Sequence, residues 1–201
     1  MPASTLLLYS DYKSPYAFVH KAAAYLLPQD FDVDLRWLPY TLDIPSYLGG
    51  VEDRSPHHWR RVRYSYMDAR RFANQQGLVL RGPQKIFDSR LANIGMLHAQ
   101  RCGKFRAYHD TVFERFWRRE LDIEDPEAIQ SVLRDADADS EGFPAFALGP
   151  GEVEHDRIRK QAEDAGVFGV PTFVFESELF WGGDRIPMLR ELLERRGLRR
   201  R

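Results

Sequence analysis

The chain has 201 residues, with 29 Lys and Arg against 30 Asp and Glu, and a hydrophobic content of 43% of which aromatics make 13% of the chain. That much apolar material supports a packed core and excludes a disordered chain, while a net charge of -1 offers neither a nucleic-acid groove nor a membrane-binding face. The single cysteine, Cys102, excludes an internal disulfide and a CxxC redox centre.

Met1-Pro2-Ala3-Ser4-Thr5 carries no basic n-region, and Leu6-Leu7-Leu8 is too short for a secretory h-region. No apolar run reaches the length of a membrane span, so a cytoplasmic location is expected. Residues 5–9 form a short apolar run bounded by Ser10-Asp11, the pattern of a buried strand. Ser14-Pro15 then reads as an N-cap with proline at the first helical position. Tyr16, Val19, Ala22, Ala23, Leu26 and Leu27 recur behind it at helical spacing. Phe31, Val33, Leu35 and Trp37 alternate with Asp32, Asp34 and Arg36, which predicts a strand with one wet face. Strand, helix and strand in that order make a parallel crossover unit.

Asp43-Ile44-Pro45 reads as a loop. After it, Ser55-Pro56 caps a helix faced by Trp59, Val62, Tyr66, Ala69 and Phe72. Further helices are expected over 88–101, 105–118 and from Asp125-Pro126 onward, with no strand between 55 and 133. The histidines lack metal-ligand spacing: His57 and His58 are adjacent on one helix, and His98 and His109 lie on separate ones. Gly149-Pro150-Gly151 punctuates the return. A helix over 152–165 stops at Gly166, which accepts positive φ without a Cβ clash.

Pro171 heads a strand over 172–175, and Glu176-Ser177-Glu178 turns the chain into a second strand over 179–181. Asp184 is expected to cap a final helix through Leu193. Arg195, Arg196, Arg199, Arg200 and Arg201 read as a helix-end charge bias and a solvated tail. Pro171 is either an edge-strand device or a cis turn that presents the backbone of Val170. The whole order predicts an α/β thioredoxin fold with an all-α helical domain inserted after the first β-α-β unit. Residues 1–45 and 149–201 make up the thioredoxin-like domain, and 46–148 the helical insertion.

Two motifs carry a family likeness. GVFGVPTFVFESELFWGGDR, from Gly166 to Arg185, follows the pattern GVFGVPTFV…FWG-x-DR nearly position for position, with Gly183 at the variable site. Ser10-Asp11-Tyr12-Lys13-Ser14-Pro15-Tyr16 supplies a serine followed by a Pro-aromatic pair. Fainter echoes are Arg61-Val62-Arg63-Tyr64 with Asp68 and Arg71, and Trp117 before Asp122-Ile123. On these residues the chain resembles the thioredoxin-fold family that holds DsbA, and within it most closely the 2-hydroxychromene-2-carboxylate isomerases and kappa-class glutathione transferases. Oxidoreductases of this fold carry CxxC where this chain has Ser14-Pro15-Tyr16-Ala17, so disulfide exchange by two cysteines is chemically excluded. The resemblance implies a glutathione-dependent isomerase or transferase acting on an aromatic or conjugated small molecule. The alternative is a redox-silent peptide- or thiol-binding module. A homodimer is implied by the resemblance alone.

Taken alone, Ser14 is an ordinary helix cap. By resemblance it is the catalytic residue, its hydroxyl donating to the thiolate of glutathione over the positive end of the first helix. The resemblance makes the peptide before Pro171 cis and pairs the Val170 N–H and C=O with the cysteinyl backbone of glutathione. It sets Gly183 and Asp184 at the γ-glutamyl end of the tripeptide, and Arg61 where relatives have a lysine that meets the glycyl carboxylate. That exchange keeps the charge and changes the geometry. Glu52-Asp53 stand near where relatives place an asparagine, and acid beside an anionic tripeptide weakens its binding. Tyr108, Phe113, Phe116 and Trp117 are expected in the core of the insertion, with the option of lining an apolar pocket that faces Ser14.

Overall fold

The computed structural model describes residues 3–200; Met1 and Pro2 of the N-terminal segment and Arg201 of the arginine tail lie outside the described residues. Strand β1 (Ser4–Ser10) leads into α1 (Pro15–Asp30), which crosses to β2 (Val33–Pro39). The two strands pair in parallel from Ser4↔Val33 to Ser10↔Pro39. Seven helices follow among the described residues: α2 (Ile44–Leu48), α3 (Pro56–Gln75), α4 (Arg90–Arg101), α5 (Phe105–Trp117), α6 (Pro126–Asp135), α7 (Phe143–Ala147) and α8 (Pro150–Asp164). The chain returns through β3 (Thr172–Phe175) and β4 (Glu178–Trp181), then a 3-10 turn at Gly183–Arg185 and α9 (Ile186–Arg195). The sheet order is β2-β1-β3-β4, the mixed α/β topology expected.

Two short helices are not anticipated by the sequence, and the first stands where 43–45 reads as a loop. Residues 43–45 start α2, where the Asp43 side chain accepts from Ser46 N–H and Pro45 sits in the first turn. Helix α7 likewise has Pro144 in its first turn. Five residues are too few to show a helical period, so only the cap chemistry could have marked them.

β3 pairs antiparallel with β1 on one side and β4 on the other. It is an interior strand, and the edge-strand account of Pro171 therefore does not hold. Pro171 escapes the ladder because it precedes the first paired residue, Thr172. The hairpin between β3 and β4 is tighter than expected, since Glu178 already pairs with Phe175. Glu176 and Ser177 both have positive φ, 49° and 69°, the sign that a two-residue type I′ turn demands. Gly166, at φ 86°, closes α8 with Val167 N–H donating to Ala162 O at 2.9 Å.

The period of two along the strands divides the core. Leu6, Leu8, Phe173 and Phe175 pack with Phe31, Leu189 and Leu193 on the α9 side. Tyr9 and Val174 face the other way and pack into the helical block with Phe18, Phe113 and Trp117. Phe18 stacks on both rings, at 5.6 Å from Phe113 and 6.1 Å from Trp117. Each such buried side chain stabilises the fold by roughly 1.5–3 kcal/mol. Tyr108, Phe113 and Trp117 are 0% exposed and Phe116 only 5%. Packing has used these rings up as core, and the option that they line a pocket facing Ser14 does not hold.

Candidate active site at the start of α1

Ser14 has extended backbone (φ -84°, ψ 114°) and caps α1, its Oγ accepting from Ala17 N–H at 3.1 Å. Its own N–H donates to Asp11 O at 3.0 Å. The hydroxyl donates in turn to Val170 O at 3.2 Å. The fold thus brings Ser14 against the Val170–Pro171 peptide, which is cis. Both residues are nearly enclosed, at 3% and 7% exposure. Among the described residues the Val170 N–H has no hydrogen-bond partner, while Pro171 O accepts from Gly182 N–H at 2.8 Å and Gly169 O accepts from Thr172 Oγ1 at 2.7 Å.

The 169–170 segment lies under Trp181. A Cβ on Gly169 would stand 2.8 Å from the indole Nε1, so the backbone can approach the ring only without a side chain. Trp181 packs on Phe168 with centroids 4.7 Å apart, and both rings are largely exposed. They form an apolar rim beside Val170. Periodicity gave no sign of it, because rings on adjacent turns and strands show no common spacing.

Gly183 is buried, and a Cβ there would overlap the imidazole of His20 on α1. His20 is held in place by its Nδ1, 2.9 Å from Tyr16 O. The glycine is therefore required by helix packing, in addition to easing a turn. Asp184 does not cap the last helix. Gly182 (φ 101°) turns the chain so that Asp184 falls inside the 3-10 turn, and α9 begins at Ile186 with no side-chain cap. The Asp184 carboxylate instead meets Arg185 at 2.7 Å and stays exposed, open to a further cation.

Arg61 is on the exposed face of α3 and makes no contact with Ser14. It lines a depression of about 360 Å³ with His57, Arg60, Tyr64 and Ser65. The structure does not bring Arg61 to Ser14; α3 meets the start of α1 two turns further on, at Asp68. Asp68 accepts from the Tyr16 hydroxyl at 3.0 Å. Burial first, and then Asp68, push the Tyr16 phenol up to about 12, so it remains a donor at neutral pH. Glu52 and Asp53 are exposed in the turn before α3, with Asp53 N–H on Gly50 O.

Beneath the 11–14 turn, the Tyr12 hydroxyl is 3.0 Å from His109 Nδ1. Trp37, Phe105 and Phe113 surround that imidazole with centroids 4.7–4.8 Å away. Burial drives its pKa down to about 3. The sequence marked His109 only as a non-ligand, and an isolated histidine gives no sign of its tertiary partner. Among the described residues no group of three or more His, Cys, Asp or Glu side chains is placed to hold a metal ion, and no helix is long and apolar enough to cross a membrane.

The chain is 27% identical to a 2-hydroxychromene-2-carboxylate isomerase of Pseudomonas putida over 191 residues, covering 93% of each protein. It is 24% identical to the enzyme of that name from Sphingobium xenophagum over 193 residues, covering 94% of this chain and 97% of the relative. A solved 2-hydroxychromene-2-carboxylate isomerase structure superposes with a TM-score of 0.78 at 26% identity, over 95% of both chains. Residues 5–194 match the DSBA-like thioredoxin domain, and the chain, with serine at the head of α1 where thiol chemistry would need cysteine, belongs to that family.

Proposed function

We propose that this chain is a glutathione-dependent isomerase or transferase acting on an aromatic or conjugated small molecule, of the kind its isomerase relatives are named for. The observation that carries the reading is the 3.2 Å hydrogen bond between Ser14 and Val170 O, which joins a hydroxyl at a helix N-terminus to a residue whose own N–H has no partner among the described residues. Two groups support glutathione: an unpartnered Val170 N–H for a peptide backbone and the exposed Asp184 carboxylate for an ammonium; Arg61 is assigned to the carboxylate by resemblance alone. When bound, glutathione supplies a nucleophilic sulfur that can add to a conjugated carbon and leave again.

The chain's task is to raise the fraction of that sulfur that is ionised. Ser14 has one hydroxyl proton, and it rests on the Val170 carbonyl. A neutral thiol is too weak an acceptor to draw it away. A thiolate is not: a hydrogen bond to a charged group is worth about 1.5–3 kcal/mol, against about 0.5–1.5 for the neutral one given up. The N-terminus of α1 adds about 0.3–1 kcal/mol. The balance favours the anion by about 1–2 kcal/mol, roughly one unit off an ordinary thiol pKa of about 8.5. The hydroxyl, more than the helix dipole, is the larger contribution.

Calorimetric titration with reduced glutathione, paired with turnover of an aromatic electrophile with and without it, tests the proposal. Saturable binding and thiol-dependent turnover support it. Binding without turnover would favour the redox-silent module, and no binding would end the glutathione reading.

A further inference from the structure

The carboxylate of Asp11 is buried, its side chain 0% exposed, in a place where a lone charge is costly. The surrounding groups offset that cost by converging on it. Its Oδ2 accepts from Leu42 N–H at 2.8 Å, and its Oδ1 from Lys13 N–H at 3.4 Å and from Asn93 Nδ2 at 3.2 Å. The Lys13 ammonium stands 3.9 Å away and donates to Leu42 O at 2.7 Å. Asp11's backbone carbonyl receives the Ser14 N–H at 3.0 Å. One residue therefore shapes the 11–14 turn from both ends, with a local Asp-to-i+2 bond and the backbone bond to Ser14.

The third partner comes from outside that turn. Asn93 lies on α4 in the helical block and is 0% exposed. Its amide also donates to Thr41 Oγ1 at 2.8 Å, and Thr41 is 2.8 Å from His155 Nε2 on α8. The β1–α1 turn, the segment entering α2, and α4 thus meet at one carboxylate. Tyr12 anchors the same turn by packing on Phe113 at 4.9 Å, but the Asp11 end of the turn is held by polar groups, through the Leu42 N–H, the Lys13 N–H and the Asn93 amide.

We propose that Asp11 is a positioning residue for Ser14, held to that task by Asn93 from the helical block. Asp11 does not reach the sulfur. It sets the turn from which Ser14 caps α1 and aims its hydroxyl at Val170 O. This deepens the glutathione-dependent reading and rests on it for the catalytic part of its test.

The test uses D11N, N93D and the double variant. In D11N the new amide turns N–H groups against the Leu42 N–H or the Asn93 amide. In N93D two carboxylates face each other. The double variant restores a donor-acceptor pair with its polarity reversed. D11N is expected to lower kcat on the order of 10²-fold, the scale of a displacement near 1 Å. Its KM for glutathione should change far less, and the acid limb of its kcat–pH profile should move up toward that of the free thiol. The double variant should recover most of the lost kcat, which a general loosening would not give.

A second measurement stands apart from catalysis: amide hydrogen exchange at Ser14 and Ala17, faster in D11N and restored in the double variant. Wild-type kcat and pH profile in D11N would overturn the proposal. If the native protein shows no glutathione-dependent turnover, the functional reading fails by itself, and the exchange data decide the positioning: unchanged exchange at Ser14 and Ala17 overturns it. Should D11N be too unstable to purify, Asn93→Ala keeps the Asp11 carboxylate while removing the α4 donor, together with that amide's bonds to Thr41 and Ser89, and the same two readouts, moved in the same directions or unmoved, decide the matter.

Discussion

Ser14 and Val170, 156 residues apart in sequence, share one hydrogen bond of 3.2 Å from hydroxyl to carbonyl. The same oxygen that caps α1 toward Ala17 is therefore the donor that closes the cis-peptide side of the site. Ser14→Ala removes both bonds and leaves the nearly buried Val170 carbonyl without its partner. Turnover dependent on glutathione should fall severely, and stability by about 1–3 kcal/mol from the lost cap and the orphaned acceptor. Steady-state kinetics and urea unfolding measure the two effects separately. Unchanged turnover would remove Ser14 from the mechanism.

Gly183→Ala should be costly out of proportion to one methyl group. The added Cβ overlaps the His20 ring, and that ring packs on Phe72 at 5.1 Å and is tied to Tyr16 O, so it cannot simply swing aside. Overpacking of this kind costs about 1–3 kcal/mol. A urea midpoint equal to that of the native protein would show that α1 and the 3-10 turn can separate freely.

Ser177→Gly should stabilise the protein. Ser177 holds φ at 69° inside the hairpin turn, where an L-residue meets a strain of roughly 1–2 kcal/mol. Glycine removes that strain and returns about 0.5–1 kcal/mol as extra entropy of the unfolded chain. A net gain of about 0.5 kcal/mol, read as a raised thermal midpoint, is expected; a fall would contradict the type I′ assignment.

His109 makes stability depend on pH in a defined direction. Burial lowers its pKa from 6.5 to about 3. Below pH 6.5 the unfolded chain takes up a proton that the folded state refuses until pH about 3. Stability is therefore full above that window and falls as pH falls through it, by up to about 1.4 kcal/mol per pH unit. His155, also lowered chiefly by burial, acts in the same sense. Urea unfolding at several pH values between 7 and 4 should show this slope. His109→Phe should reduce it whatever its own stability at pH 7, and an unaltered slope would assign the acid sensitivity elsewhere.

Much of this architecture is legible in local chemistry. The Ser14-Pro15 cap, the alternation over β2 and the stop at Gly166 are all short-range signals, and each element stands where its signal lies. Asp184 shows the limit: an acidic residue before a helix has the look of a cap, but the positive φ of Gly182 moves the helix start beyond it. The tie between Asp11 and Asn93 was not legible, because it joins residues 82 apart with no spacing rule between them. The fate of Phe113 and Trp117 was undecided for a related reason. Apolar rings have the same signature whether they meet other rings or a ligand, and only the packed structure shows that Phe18 fills the space.

The two faces of the sheet are not equally independent. Tyr9 and Val174 share their apolar surroundings with Phe113 and Trp117, so the helices between β2 and β3 act as a wall of the sheet and not as an attachment. Excising residues 46–148 would remove Phe113 and Trp117 from this face and leave only α1 and α8 to cover Tyr9 and Val174, a partly bare surface through which the chain would associate. Insertions and deletions during divergence should be confined to turns such as 51–53, where the side chains are exposed, and should spare 119–125, where Leu121 and Ile123 are buried in the core.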